Sequence, residues 1–206
     1  LRSLSLRHCD RLQARWLAAL APLQKLETLD LGMIPGVDDA ALQALRDCSR
    51  LETLIVGGPS ITDRGLEALA KTALRSLHLD DSPGITTAGL QHLPTTIVEL
   101  FLGRCPGLDA SAGPLLRDRF PGLGVLGIEQ NDWVDDSVVA AVCTLPQLEE
   151  LWIFDCNKTT VAARESLAKA PLLRKLRAML VSWLTAEIAQ ELMAARPELR
   201  IDRQVW

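Results

Sequence analysis

The sequence predicts an α/β fold, a solenoid of about eight coils in which each coil holds one short strand and one helical segment. Two observations predict it. The frame L-x-x-L-x-L recurs along the whole 206-residue chain, and helix-forming segments lie between its copies. A strand that alternates apolar and outward-facing residues buries only one face, so a single coil has little core and neighbouring coils must stack. Stacking predicts a parallel sheet with a continuous core behind it.

The copies of the frame set the strands and the coil length. They begin at residues 1, 26, 51, 74, 97, 123, 148 and 173, so each coil takes 23 to 26 residues. In the third copy, LETLIV, we expect Leu51, Leu54 and Val56 to face the core and Ile55 to face outward. Since every copy has this alternation, each one is predicted to be a rung of the same sheet.

Helical segments are predicted between the strands. They include residues 38–48, 62–72, 135–143 and 185–195. Each begins with a short side chain whose oxygen can accept from free backbone N–H groups, namely Asp38, Thr62, Asp135 and Thr185. The pairs Asp38/Asp39 and Asp135/Asp136 lie in first helical turns, where the helix dipole favours negative charge. Loops rich in Pro and Gly precede several of these helices and mark the turn out of the strand.

This pattern resembles the leucine-rich repeat family, and more narrowly its cysteine-containing subclass, found in F-box proteins. The residues that carry the resemblance are the frame, the stretch ITDRGLEALA at 61–70, and a position three residues after each strand core. That position holds Cys9, Ser82, Cys105, Asn131 and Cys156. The resemblance implies a curved right-handed superhelix, with parallel strands on the concave face and helices on the convex face.

The resemblance also implies one domain over residues 1–206, in which residues 180–206 form a C-terminal cap over the last coil. Within that cap, residues 199–202 are a candidate partial strand of ambiguous register. The chain begins at Leu1 inside a copy of the frame and without an initiator Met. We therefore expect an N-terminal cap or an upstream domain to be missing.

The charge balance argues against two broad classes of partner. The chain has 22 Lys and Arg residues against 26 Asp and Glu residues, a net charge of -4. Phosphate groups repel an acidic chain, so we expect neither nucleic acid nor a membrane surface as partner. No apolar run reaches the roughly 18 residues that a membrane helix needs, and no signal segment opens the sequence.

The five cysteines are expected to be reduced. Cys105 and Cys156 occupy equivalent positions two coils apart, about 10 Å at ~4.8 Å per strand, whereas a disulfide needs Cα atoms within roughly 7 Å. No C-x-x-C pair or Cys–His cluster indicates a zinc site, so no metal is expected. Reduced thiols predict a reducing compartment, most simply the cytoplasm.

The best candidate for catalysis is the stretch LHLDD, where His78 and Asp80 alternate outward from one strand. The chain has only three His residues, and no nucleophile or second His is required to face this pair. No phosphate-binding loop is present either. We therefore expect no catalytic residues, no cofactor and no enzymatic activity.

The outward strand positions form the candidate binding face. The central position of each strand holds Ser5, Asp30, Ile55, His78, Phe101, Gly127, Trp152 and Arg177. The position just after the strand core holds Arg7, Gly32, Gly57, Asp80, Gly103, Glu129, Phe154 and Met179. Phe101, Trp152 and Phe154 are three of the chain's eight aromatic residues, and the core does not need them there. Exposed aromatics beside Arg are typical of interaction sites.

The predicted partner-binding residues are Asp30, Ile55, His78, Asp80, Phe101, Arg104, Gly127, Glu129, Trp152, Phe154 and Arg177. Gly127 leaves a notch of roughly 10 Å between the rings of Phe101 and Trp152, wide enough for one partner side chain. Alternatively, the rings fold over the notch and cover each other, or pack against a missing flanking element. Charged residues such as Glu150, Asp155 and Lys175 would form the rim.

The sequence thus predicts a protein-interaction scaffold that binds a protein or peptide on its concave face. The resemblance supplies an alternative, the substrate-recognition arm of an F-box-type ubiquitin ligase or of a bacterial effector that imitates one. No small-molecule cofactor is expected in either case.

Overall fold

A computed structural model of the chain describes residues 1–9, 11–12 and 18–204. The last two residues of the predicted cap, 205–206, lie outside the described residues. Contacts divide the chain into two compact units, Leu1–Leu108 and Asp109–Trp206, which we call the first and the second unit. Each unit is a stack of strand and helix coils.

The first unit contains five parallel strands in chain order. They are β1 (Ser3–Ser5), β2 (Thr28–Asp30), β3 (Thr53–Gly57), β4 (Ser76–Asp80) and β5 (Glu99–Gly103). The fourth residue of each frame pairs with the fourth residue of the next, so that Leu54 lies between Leu29 and Leu77. This register confirms the strands predicted in the first five copies of the frame.

The second unit contains four parallel strands. They are β6 (Val125–Glu129), β7 (Glu150–Phe154), β8 (Lys175–Met179) and β9 (Arg200–Gln204). The last strand resolves the ambiguous register of residues 199–202, because Ile201 pairs with Leu176 and Leu199 is buried. The segment predicted as a cap therefore contains a full additional strand and the helix before it.

Helices follow the strands, three in the described part of the first unit and four in the second. They are α1 (Asp39–Gln43), α2 (Asp63–Ala68), α3 (Thr87–Leu90), α4 (Ala112–Arg119), α5 (Asp136–Val142), α6 (Ala163–Lys169) and α7 (Ala186–Ala195). The four predicted N-caps are confirmed, since Asp38, Thr62, Asp135 and Thr185 each accept a hydrogen bond from a backbone N–H of the first turn.

The helices predicted at 135–143 and 185–195 are confirmed, whereas α1 and α2 end earlier than predicted because the chain changes to a three-residue period behind them. After α1, the Cys48 N–H donates to the Leu45 carbonyl at 2.9 Å, and the Leu51 N–H donates to the Cys48 carbonyl at 2.9 Å. At three residues per turn, every third side chain points the same way. Leu45, Cys48 and Leu51 are consequently all 0% exposed and extend the core to the next strand.

The turn after each strand explains the polar position of the cysteine-containing pattern. Among the described residues, seven other than glycine adopt left-handed backbone conformations in these turns, with φ between 48° and 60°: His8, Met33, Asp81, Arg104, Gln130, Asp155 and Leu180. The next side chain often donates back to the strand, as Ser82 does to the Asp80 carbonyl at 2.9 Å and Asn131 to the Glu129 carbonyl at 2.9 Å. Cys105 contacts the Gly103 carbonyl in the same way at 3.3 Å. These donors close the turn.

The five cysteines were expected to be reduced. All five are free; Cys9 is exposed, and the other four are buried. No helix in the described part of the chain is long and apolar enough to cross a membrane.

Candidate functional site

The outward strand positions line one face within each unit, and we call this surface the strand face. In the first unit, Asp30 pairs with Ile55, Ile55 with His78, and His78 with Phe101. All four are half-buried, whereas the leucines that alternate with them are fully buried. Their alignment follows from the pleat, which sends alternate side chains to opposite sides of a sheet.

The strand face of the second unit centres on Trp152. Its indole N–H donates to Glu150 Oε1 at 2.8 Å, and the guanidinium carbon of Arg177 lies 4.2 Å from the ring centroid. Glu150 Oε1 also lies 3.1 Å from Lys175 Nζ and 3.0 Å from Arg177 Nε. The latter contact is an ion pair without hydrogen-bond geometry, because Arg177 Nε has no well-directed acceptor. The indole is thus held in place by a cation above it and a carboxylate at its edge.

Apolar side chains continue this surface toward the carboxyl ends of the strands. Phe154 pairs with Met179, and both are half-buried on the same face as Trp152. Leu180 follows and is 42% exposed. We call Trp152, Phe154, Arg177 and Met179 the β7–β8 patch.

Gly127 was predicted to leave a notch between the rings of Phe101 and Trp152. It pairs with Trp152 in register, but its backbone is buried and it has no side chain to offer a partner. Its contribution is the space left beside the indole. The predicted notch also required Phe101, which belongs to the first unit, so the notch remains a prediction. Glu129 is half-buried and pairs with Phe154.

His78 behaves as an aromatic side chain. Its ring stacks on Phe101 with centroids 4.4 Å apart and an interplanar angle of 21°. Burial lowers the pKa of His78 below its usual value, although Glu99, whose Oε1 lies 3.6 Å from Nε2, opposes this effect. A neutral imidazole is therefore favoured, and it stacks without a charge to solvate.

Asp80 is directed toward Arg104. Arg104 Nη2 contacts Asp80 Oδ2, and its Nε donates to Asp81 Oδ1 at 2.6 Å. Burial raises the pKa of Asp80 against the opposing charge of Arg104, whereas the hydrogen bond from Arg104 lowers the pKa of Asp81. Asp80, Asp81 and Arg104 thus form an ion-pair cluster.

A pocket on the first unit was missed by sequence reasoning. It has a cavity volume of about 320 Å³ and lies at the carboxyl ends of β2, β3 and β4. Its lining includes Arg7, Met33, Ile55, Gly57 and Asp80. The available signal was the succession of glycines, Gly32 and Gly57, at the position after the strand core.

The strand face offers aromatic and aliphatic contact area with ion pairs at its rim. Among the residues that the structure describes, no group of three His, Cys, Asp or Glu side chains is placed to hold a metal ion.

Comparisons with known proteins identify the fold. No protein-family model matches the chain, and no curated protein matches it. Among solved structures, internalin C2 from Listeria monocytogenes matches with a TM-score of 0.58 and 20% identity, over 98% of this chain and 80% of its own. TLR13, in its complex with ssRNA13, matches with a TM-score of 0.54 and 20% identity, over 87% of this chain and 29% of its own.

The crystal structure of the yeast Rad7 and Elc1 complex also matches, with a TM-score of 0.51 and 17% identity, over 98% of this chain and 69% of the matched chain. Identities this low carry information about architecture alone. Together with the strand register and the buried leucine frame, they show that the chain has the α/β leucine-rich repeat fold.

Proposed function

We propose that this chain is an interaction scaffold that binds a protein or peptide on its strand face. The observation that carries the proposal is the β7–β8 patch. Its aromatic and aliphatic side chains lie opposite the buried leucines, where the core makes no demand for them. Trp and Arg are among the residue types that most often anchor a protein partner.

The geometry of the patch favours binding because little side-chain freedom remains to be lost. Trp152 is fixed by Glu150 and Arg177, and the backbone of β7 is paired on both sides by β6 and β8. A rigid anchor costs less conformational entropy on binding than a mobile one. Asp202, which is 63% exposed 3.9 Å from Arg177, supplies part of a polar rim.

Charge supports a protein rather than a nucleic acid as the partner. The strand face of the first unit and its turns carry four carboxylates against two guanidiniums: Asp30, Asp80, Asp81 and Glu99, with Arg7 and Arg104. A face that binds phosphates needs an excess of cations. The match to TLR13 in a complex with ssRNA13 is a likeness of fold and does not reverse this charge argument.

The test is selection of binding peptides from a displayed library, followed by affinity measurement on the wild type and two variants. Trp152→Ala removes the anchor, and we expect a loss of affinity of at least about tenfold, or ~1.4 kcal/mol. Leu172→Ala is the matched control, because Leu172 is an apolar side chain of the same unit, 37% exposed, in the turn before β8. It is expected to bind like the wild type.

Two outcomes would contradict the proposal. One is that no peptide is enriched above an unrelated control protein. The other is that the enriched peptides bind Trp152→Ala and the wild type with equal affinity while both proteins show a cooperative thermal transition.

A second proposal is the substrate-recognition arm of an F-box-type ubiquitin ligase. It is supported by the capping side chains after the strands, Cys105, Cys156 and their counterparts, which resemble the cysteine-containing repeats of F-box proteins. It expects an F-box in the coding sequence upstream of Leu1, and reading that sequence tests it. Free, buried thiols agree with a reducing compartment such as the cytoplasm, where we place the protein.

A further inference from the structure

We propose that the pocket on the first unit binds a lysine side chain presented by the protein partner. The proposal deepens the proposed function, on which it rests, since it names the chemistry of the partner at a second place on the strand face. Three features carry it: the shape of the pocket, its apolar wall and its excess of negative charge.

Two charged side chains at opposite sides of Gly57 set the shape of the pocket. A methyl group added at Gly32 would lie 3.4 Å from Arg7 Nη1, so the guanidinium of Arg7 extends over Gly32. A methyl group added at Gly103 would lie 2.5 Å from Asp80 Oδ1, so the carboxylate of Asp80 extends over Gly103. Arg7 therefore borders the pocket on the β1 side, whereas Asp80 is displaced toward β5 and leaves the strand face open above Gly57, which lines the pocket between them.

The wall of the pocket suits an aliphatic stem. Ile55 is half-buried on β3, while Met33, Pro35 and Pro59 in the turns are exposed around the opening. Met33 is 60% exposed, an unusual position for an apolar side chain held in a left-handed turn. Four methylene groups in a row, as in lysine, would cover this surface and remove it from water.

The carboxylates of Asp80 and Asp81 at one end of the pocket favour a cation as the ligand. Asp80 and Asp81 share the single guanidinium of Arg104, and Arg7 is opposed by Asp30 at 3.7 Å. One negative charge is therefore left over at Asp80 and Asp81. Each carboxylate has about four acceptor positions, so Asp80 keeps capacity for a further donor. His78 at the side of the pocket adds no opposing charge, because burial lowers its pKa.

An ammonium fits this end better than a guanidinium does. Arg104 already occupies the planar, two-pronged geometry that a second arginine would need at Asp81. A lysine ammonium is a compact point charge with three rotatable donors, and it needs no free plane. The pocket volume of about 320 Å³ leaves room for a stem of this length.

The test uses methyl NMR with a model ligand. The chain has three Met residues, of which Met33 lines the pocket, Met179 lies in the β7–β8 patch and Met193 lies in α7. With 13C-methyl-labelled Met, we expect titration with N-acetyl-lysine N-methylamide to shift the Met33 signal. The Met193 signal serves as an internal control, and N-acetyl-norleucine N-methylamide, which has the stem without the charge, should bind more weakly.

Asp80→Asn keeps the shape of the side chain and removes its charge, so we expect binding of the lysine amide to weaken by about tenfold. Asp202→Asn, a carboxylate of the second unit that is 63% exposed, is the matched control and should leave the Met33 titration unchanged. Asp81→Asn provides a second test of the charge if Asp80→Asn does not fold cooperatively.

The lysine pocket is overturned if Met33 does not respond, if the norleucine amide shifts Met33 as strongly as the lysine amide, or if the charge-removing variants bind as the wild type does. None of these results bears on the Trp152→Ala measurement. Failure of the lysine pocket is therefore distinguishable from failure of the scaffold proposal.

Discussion

Arg196 is a residue whose role the sequence does not reveal. Its guanidinium is buried, and it donates to the carbonyls of Leu167 at 3.1 Å and Leu173 at 2.9 Å, and also to that of Ala170. The last carbonyls of α6 and the turn behind it have no partners inside the helix. Glu198 Oε1, 2.8 Å from Arg196 Nη2, balances the charge. One side chain thus closes the carboxyl end of a helix in the preceding coil.

We expect Arg196→Met to lower the free energy of unfolding by about 3 kcal/mol, because it leaves several buried carbonyls without donors. Chemical denaturation measures the loss. Arg200→Met is the control, since Arg200 is exposed on β9, and it should stay within about 0.5 kcal/mol of the wild type. Equal effects of the two substitutions would show that the carbonyl contacts contribute nothing particular.

The position of Trp152 follows from the sequence, whereas its contacts follow from the tertiary structure. Its place on the outward side of β7 follows from the frame, because it alternates with Leu151 and Ile153. Its contact with Arg177 depends on the register of β8, which brings those two positions opposite each other. The sequence alone did not supply the hydrogen bond to Glu150, two residues earlier on the same strand.

At the scale of elements, neighbouring helices are joined by a repeated carboxylate contact. Asp63 at the start of α2 accepts from the Thr86 N–H at 2.8 Å and from the Thr86 hydroxyl at 2.7 Å. Asp39 contacts Thr62 in the same way, and Asp136 contacts Thr160. For Asp39 and Asp136 the helix dipole was the predicted reason. The structure adds that each carboxylate accepts hydrogen bonds from a threonine just before the helix of the next coil.

Glycine at the third position of the following helix makes this contact possible. A methyl group at Gly89 would lie 2.0 Å from Asp63 Oδ1, and one at Gly65 would lie 2.6 Å from Asp39 Oδ1. The recurring glycine in TDRGL and TTAGL is therefore explained by space. A side chain there would displace the carboxylate that holds the two coils together.

A double-mutant cycle tests this explanation. Gly89→Ala should destabilise the protein by about 1–3 kcal/mol, although alanine is ordinarily favoured over glycine in helices. In an Asp63→Ala background, the same substitution should cost much less, with a coupling energy of about 1–2 kcal/mol. Thermal unfolding of the four proteins provides the values, and strictly additive effects would contradict the proposed clash.

At the scale of the whole molecule, the burial of the cysteine side chains controls their reactivity. The side chains of Cys48, Cys105, Cys143 and Cys156 are buried, and only Cys9 is exposed. Burial raises the pKa of Cys105 and Cys143 to about 12 and that of Cys156 to about 11. A thiol held protonated inside the core reacts slowly, because the thiolate is the nucleophile.

We expect a thiol reagent to modify one cysteine in the folded protein and all five after unfolding without a reductant. Two or more thiols reacting in the folded protein would contradict the assigned burial.

The raised pKa values also predict how alkaline pH changes the stability of the protein. The unfolded thiols ionise above their usual pKa of 9.0, whereas the folded ones keep their protons until about pH 11 to 12. The free energy of unfolding should thus fall as pH rises from about 9 to about 12, where the unfolded state has lost protons that the folded state still holds.

The strands were predictable and the helices less so, for a physical reason. A Leu at fixed positions of every frame must reach the same core, so Leu54 could be aligned with Leu29 and Leu77 from spacing alone. The ends of the helices depend on where the chain must turn back to the next strand. The change to a three-residue period around Cys48, which ends α1 early, has no distinct sequence signal.

By itself, the sequence determined the repeat, the strand register and which residues face outward, because burial of the leucine frame permits only one phase of alternation. Tertiary structure alone decided which outward side chains meet. Arg7 and Asp80 lie on different coils, and each extends over the glycine of the following coil at the border of the pocket, while Arg177 of the next strand packs on Trp152. Such contacts depend on side-chain rotamers and on neighbours distant in sequence, which a repeat pattern does not encode.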